Sequence, residues 1–139
     1  MAKSGVTYIN PPSAPAPAGM YSHVARMAPG ELAFIAGQVA VDQKGNVVGV
    51  GDLAAQVDQV FANLGAILKD LGTDFESVVQ FTTYLTKADS IPIWMSARGA
   101  VYPKLFPGGQ YPPNTLLVID RLVKPEFLLE IEAIARVPG

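Results

Sequence analysis

The strongest constraint on this chain lies near its C-terminus, where residues 127–136 alternate with a strict period of two. Phe127, Leu129, Ile131, Ala133 and Ala135 share one face. Leu128, Glu130, Glu132, Ile134 and Arg136 share the other. Such a segment is a strand whose apolar face needs a second layer over it. The cover is present in the same chain. Residues 53–71 carry Leu53, Val57, Val60, Phe61, Leu64, Ile67, Leu68 and Leu71 at helical spacing, with Asp52 as N-cap and Gly72 as C′.

The remaining segments fill in one sheet-and-helix domain over residues 1–139. Residues 6–9 read as a short edge strand, and the proline-rich run from Asn10 to Pro17 as an extended surface loop. Residues 22–28 and 31–39 read as a hairpin turned at Pro29-Gly30. Gly37, inside the second of these, points to a bulge or to close approach by another group. Thr73-x-x-Glu76 has the spacing of a capping box that opens a short turn. Residues 78–85 are β-branched and strand-like. A second helix follows Asp89, with Pro92 in its first turn and Gly99 in its interior, where a close contact would explain the glycine. Residues 115–122 and 127–136 are expected to pair as the last two strands, turned by Lys124-Pro125-Glu126. The order is β-β-β-α-β-α-β-β: an α+β domain with about six strands in a mixed sheet and two helices on one face.

Composition narrows the chemistry. There is no cysteine among the 139 residues, so thiolate catalysis, thiolate metal sites and disulfides are excluded. The single histidine, His23, argues against a His-rich metal site or a Ser-His-Asp triad and reads as structural. A net charge of -2 and a pI near 5.2, without a basic stripe, argue against nucleic acid as a partner. Residues 1–10 lack the apolar core of a leader, and no apolar run approaches a membrane span, so the expected setting is cytoplasmic. A mean hydropathy of +0.28 is high for such a chain and points to an apolar interface between copies.

Few residues are placed to do chemistry. Glu130 and Glu132 stand two apart on an otherwise apolar strand. One of them is a candidate general base for a water; alternatively both face solvent or pair with Arg136 or Lys124. Arg98 lies on the same helical side as Trp94, Met95 and Tyr102. It is a candidate carboxylate ligand, or a side chain snorkelling at the stripe edge. Arg121, read as lying in a strand with Leu117 and Ile119, is a second candidate anion ligand. Asn114 offers an amide to a ligand or caps its own turn. Tyr21 offers a hydroxyl or closes the core.

Several of these segments, taken together, resemble the Rid family of reactive-intermediate imine/enamine deaminases, also called endoribonuclease L-PSP. They are Tyr21-Ser22-His23, Phe34-Ile35-Ala36-Gly37-Gln38, Asp52 to Gln56, Val78 to Leu85, Tyr102-x-x-x-Phe106 and Glu130 to Ala135. The resemblance covers roughly residues 20–136 in order. It implies a chorismate-mutase-like fold, a homotrimer built as a barrel of sheets, and small-molecule clefts between subunits. It implies no metal and no organic cofactor, and hydrolysis of 2-imino acids to 2-oxo acids and ammonia. Tyr21, Gly37 and Glu130 match cleft positions of the family, with Glu130 as the carboxylate that handles water. Three positions depart from the pattern. Ala36 stands where the family has Ser, Gly99 where it has Asn, and Asn114 where its Pro-x-Arg motif holds the substrate carboxylate. The chain thus resembles a divergent member with a different substrate preference, or a non-catalytic ligand-binding protein on the same scaffold.

Overall fold

The computed structural model describes residues 4–138. Residues 1–3, the start of the stretch read for a leader, lie outside the described residues. The elements run β1 (Val6–Ile9), β2 (Val24–Met27), β3 (Glu31–Gln38), α1 (Leu53–Asp70), β4 (Val78–Leu85), α2 (Ile91–Leu105), β5 (Asn114–Val118) and β6 (Leu129–Val137). The architecture is α+β: six strands, with two helices on one face of a mixed sheet. The strands divide into a β1-β2 ribbon and a four-stranded sheet in the order β3-β6-β4-β5.

Two strand pairings differ from the sequence expectation. β2 pairs antiparallel with β1, Val6 facing Met27, and forms no hairpin with β3. β3 pairs with β6 instead, from Glu31↔Val137 to Gln38↔Ile131. Strand β5 ends at Val118 and runs parallel to β4, not against β6. The cause is α2, a crossover helix that returns the chain in the same direction, so β5 falls on the outer edge of β4. The ten residues from Ile119 to Leu128 then carry the chain back, and β6 inserts between β3 and β4.

Helix α1 forms for local reasons. Asp52 accepts a hydrogen bond from the Ala55 N–H at 3.1 Å. The exit is a Schellman closure: Gly72 N–H to Lys69 O at 2.9 Å and Thr73 N–H to Leu68 O at 2.9 Å, with Gly72 at φ +78°. Its buried face includes one polar residue, Gln56. The Gln56 amide donates to Gly49 O and Glu126 O and accepts from Leu128 N–H, which binds two loops to the helix. The following 3₁₀ turn is capped by Asp74, which accepts from Glu76 N–H, and not by Thr73 as the capping-box spacing suggested.

The core lies between the helices and the inner sheet face. Leu129, Ile131, Ala133 and Ala135 of β6 are all buried there, on the face predicted from their alternation. Phe61 of α1 contacts the rings of Phe75, Phe81, Trp94 and Tyr102. Full burial of each such side chain contributes about 1.5–3 kcal/mol. The outer sheet face is open in one chain. Phe34 is 74% exposed, and Leu32 and Leu117 are exposed on the same face.

Candidate functional site

Two constellations emerge, one on the sheet and one beside α2. On the sheet, β6 presents Glu130 and Glu132 on its outer face, opposite Tyr84 and Thr82 of β4. Tyr84 donates its hydroxyl to Glu132 Oε1 at 2.9 Å. Neither glutamate pairs with Arg136, whose guanidinium is bound to the carbonyls of Ala28, Ser4 and Pro29. Glu130 is half-buried. Burial, and then the neighbouring Glu132 charge, raise its pKa above the ordinary carboxylate value.

Gly37 explains how Glu130 fits. The β3–β6 register shifts between Ile35 and Gln38, and the Glu130 carboxylate lies directly against the glycine backbone. A Cβ on Gly37 would collide with Oε2 and would sit 2.6 Å from Cδ. Both readings of this glycine from sequence, the bulge and the close approach, hold at once. Ala36 beside it is exposed, and its carbonyl accepts from the Gln38 side chain at 3.0 Å.

The second constellation is a groove of about 350 Å³ lined by the loop at Ala18–Gly19, Tyr21, Met95, Arg98 and the start of β5 at Asn114, Thr115 and Leu116. Arg98 does not snorkel: it is only 4% exposed. Trp94, Arg98 and Tyr102 form the buried stripe of α2, four residues apart. The guanidinium carbon lies 5.7 Å from the Trp94 ring centre and 5.8 Å from that of Tyr102. Its Nη2 donates to Met95 Sδ at 2.8 Å, and its Nε has no partner. Burial lowers the Arg98 pKa, opposed by Tyr102. Asn114 accepts from Thr83 Oγ1 at 2.8 Å through its amide oxygen, which leaves the amide nitrogen as a donor. Tyr21 packs edge-on against His23, and its hydroxyl accepts from Ala18 N–H at 3.3 Å. His23 is structural: Nε2 meets Pro15 O, and its backbone N–H donates to Asn10 Oδ1 at 2.9 Å.

Tyr21, Arg98 and Asn114 therefore share one groove, and Gly37 and Glu130 share one contact. The groove lining does not include Glu130. Arg121 joins neither group. It is exposed in the loop after β5 and donates to Leu122 O and Val123 O, so its expected place within a strand is corrected. Gly99 meets nothing within 4 Å, so no close contact inside the chain accounts for it. The sequence reading passed over Tyr84 as the partner of Glu132; its position in register with Glu130 is a pairing fact invisible in linear order. Among the described residues no group of three or more His, Asp or Glu side chains is placed to hold a metal ion. Nor is any helix long and apolar enough to cross a membrane.

Fold and geometry together define a small α+β protein with one helix-covered sheet and recesses of small-molecule size. The endoribonuclease L-PSP family model matches residues 11–137. The chain is 34% identical over 126 residues to a RutC family protein of Synechocystis, covering 90% of this chain and 92% of the relative. A RutC family protein of Pyrococcus horikoshii is 35% identical over 123 residues, covering 88% and 91%. Among solved structures, the Rid family protein YyfB from Yersinia pestis, a protein of unknown function, aligns with a TM-score of 0.85 at 33% identity, covering 96% and 99%. The YjgF gene product of E. coli aligns with a TM-score of 0.68 at 27% identity, covering 94% and 98%. The chain belongs to the endoribonuclease L-PSP family, which includes the Rid and YjgF proteins.

Proposed function

We propose that this protein is a Rid-type hydrolase acting on an imine, an enamine or a related small metabolite, with a preference other than simple 2-imino acids. The observation that carries this reading is Glu130. Its carboxylate is half-buried and held against Gly37, and its raised pKa arises from burial and Glu132 without any hydrogen bond. Such a group can take a proton from water as the water adds to a C=N carbon, and return it to nitrogen. The C–N bond then breaks to give a carbonyl and ammonia, with one water consumed. Tyr21, Ala36 and Gly37 would line the cleft around it.

A homotrimer with clefts between subunits is part of the same reading. Exposed Phe34, Leu32 and Leu117 on the open sheet face support it, because apolar surface of this kind needs covering. Family membership supports it as well. A Phe34→Lys variant should lower the mass seen by analytical ultracentrifugation from trimer to monomer.

The test of function is ammonia release from freshly generated 2-imino acids and their enamine tautomers. Glu130→Gln should lose about 10²–10⁴-fold in turnover. The base acts as the carboxylate, so the acid limb of kcat/KM should lie above the ordinary carboxylate range, and Glu132→Gln should move it down. Asn114→Arg should raise activity toward 2-imino acids by restoring a bidentate contact. Unchanged turnover in Glu130→Gln defeats the hydrolase reading. One observation favours the alternative of a non-catalytic ligand-binding protein: the groove at Arg98 is lined without Glu130. Wild-type silence alongside saturable ligand binding would select it.

A further inference from the structure

We infer that Met95 is a modification site: a hydroperoxide converts its thioether to a sulfoxide, and Arg98 captures the new oxygen. Oxidation then strengthens the fold at this point, the reverse of what a methionine sulfoxide does in an ordinary core. The inference goes beyond the hydrolase reading and does not depend on it.

The argument starts from what Arg98 has for an acceptor. The residue is only 4% exposed, and taking a guanidinium out of water costs several kcal/mol unless strong acceptors replace the water. Among the described residues its one hydrogen bond runs from Nη2 to Met95 Sδ at 2.8 Å. A thioether is a weak acceptor, and Nε is buried with no partner at all. No Asp or Glu lines the groove, so no carboxylate there competes for the cation. The atom that Arg98 leans on is therefore the one that oxidation turns into a better acceptor.

Access and chemistry agree with this. Met95 is 43% exposed and lines the groove of about 350 Å³, which has room for a small hydroperoxide. Met20 and Met27 are less exposed, and Met20 packs against the core. Arg98 occupies one side of the sulfur, and the second lone pair attacks a peroxide oxygen. The O–O bond breaks, the S–O bond forms, and the other oxygen leaves as water. Sulfur gives up two electrons, and the peroxide takes them. The unbranched side chain can then turn its polar oxygen onto the guanidinium, because its torsions are soft.

The test treats the full chain with hydrogen peroxide and reads it by peptide mass mapping and thermal melts, for wild type, Met95→Leu and Arg98→Leu. Met95 should gain one oxygen about threefold faster than Met20 or Met27, or better still. Oxidation should raise the wild-type Tm by about 3 °C or more, as a charge-assisted bond replaces a weak one. In Arg98→Leu the sulfoxide has no cation, and Tm should fall. In Met95→Leu the rise should vanish. Met95→Gln sets a carbonyl oxygen on a side chain of similar length, and serves even if Arg98→Leu does not fold. It should melt above Met95→Leu by about 3 °C without any oxidant, and peroxide should not raise it further. The proposal is overturned if Met95 oxidises no faster than Met20 and Met27, or if the oxidised wild type melts lower or unchanged. An equal rise in Met95→Leu or Arg98→Leu, or no gain in Met95→Gln, also overturns it. These readouts record mass and melting and not turnover, so the outcome is separate from that of the Glu130 variants.

Discussion

Arg136 and Arg98 are both drawn into the fold, yet the two regions that hold them use them in opposite ways. At the seam between the β1-β2 ribbon and the main sheet, Arg136 donates to Ala28 O at 3.1 Å, Ser4 O at 3.2 Å and Pro29 O at 2.9 Å. Every arm of its guanidinium is used by the chain's own backbone. Tyr8 closes the same seam by donating to Val78 O at 2.7 Å, and burial pushes its pKa up. In the groove beside α2, Arg98 has rings above and below, a thioether at one nitrogen and nothing at Nε. A cation whose donors are all satisfied inside the chain serves structure. Arg98 instead keeps a buried donor without a partner among the described residues.

The largest expected effect separates the two arginines by stability. Arg136→Met strands three carbonyls at the seam and should cost about 2–4 kcal/mol, a drop in Tm on the order of 10 °C. Arg98→Met exchanges an unpaired buried charge for an apolar chain of similar length. It loses the stacking on Trp94 and Tyr102 but also the desolvation penalty, so stability should change by no more than about 1 kcal/mol. Urea melts of the two variants check the contrast; equal losses would break it.

The glycines beside each arginine sharpen the same point with a smaller effect. A Cβ on Gly30 would meet Arg136 Nε at 2.8 Å and Cζ at 3.1 Å, where the guanidinium is fixed by its three bonds. Gly30→Ala should cost about 1–2 kcal/mol. Gly19→Ala meets only Nη2 of Arg98, at 3.2 Å. It should cost under about 1 kcal/mol, as seen by urea melts of the two variants.

The smallest effect concerns the charge on the sheet. A raised carboxyl pKa means that the folded state holds its proton more tightly than the unfolded chain does. Glu130 therefore favours folding at acidic pH, and that contribution is lost as pH rises through its folded pKa. Glu130→Gln should melt slightly higher than wild type at neutral pH. The gap should close below about pH 4, where the glutamate is protonated in both states. A gap that widens on acidification would reverse the assignment.

Much of this was legible in linear order, and the particular residues show why. The alternation from Phe127 to Ala135 and the stripe of α1 are signals within one element; the β6 face came out as read, and so did the α1 stripe except at Ile67, which is partly buried, and Leu71, which caps the helix and is exposed. The Asp52 cap and the Gly72 exit depend on neighbours a few residues away. Gly37 was readable as a point of close approach, although not as the seat of Glu130. Partner choice between strands was not legible. β3 was expected to pair with β2 and β5 with β6, because adjacency in sequence does not fix which strand edge a segment meets in the closed sheet. Arg98 was seen on the Trp94–Tyr102 side of its helix, but its burial and its missing partner depend on the loop at Gly19 and the start of β5. The strand expected to carry Arg121 ends at Val118, so its place in a loop was not legible.

By itself, the sequence determined the two-layer α+β class, the inner faces of α1 and β6, the absence of thiol chemistry and the short list of charged candidates. These follow from periodicity and composition, which act over one or two turns of chain. The tertiary structure decided which strands are neighbours, which glutamate rests on Gly37, and which arginine is satisfied and which is left open. Those outcomes depend on contacts between residues as far apart as Ser4 and Arg136, and only the closed fold brings them together.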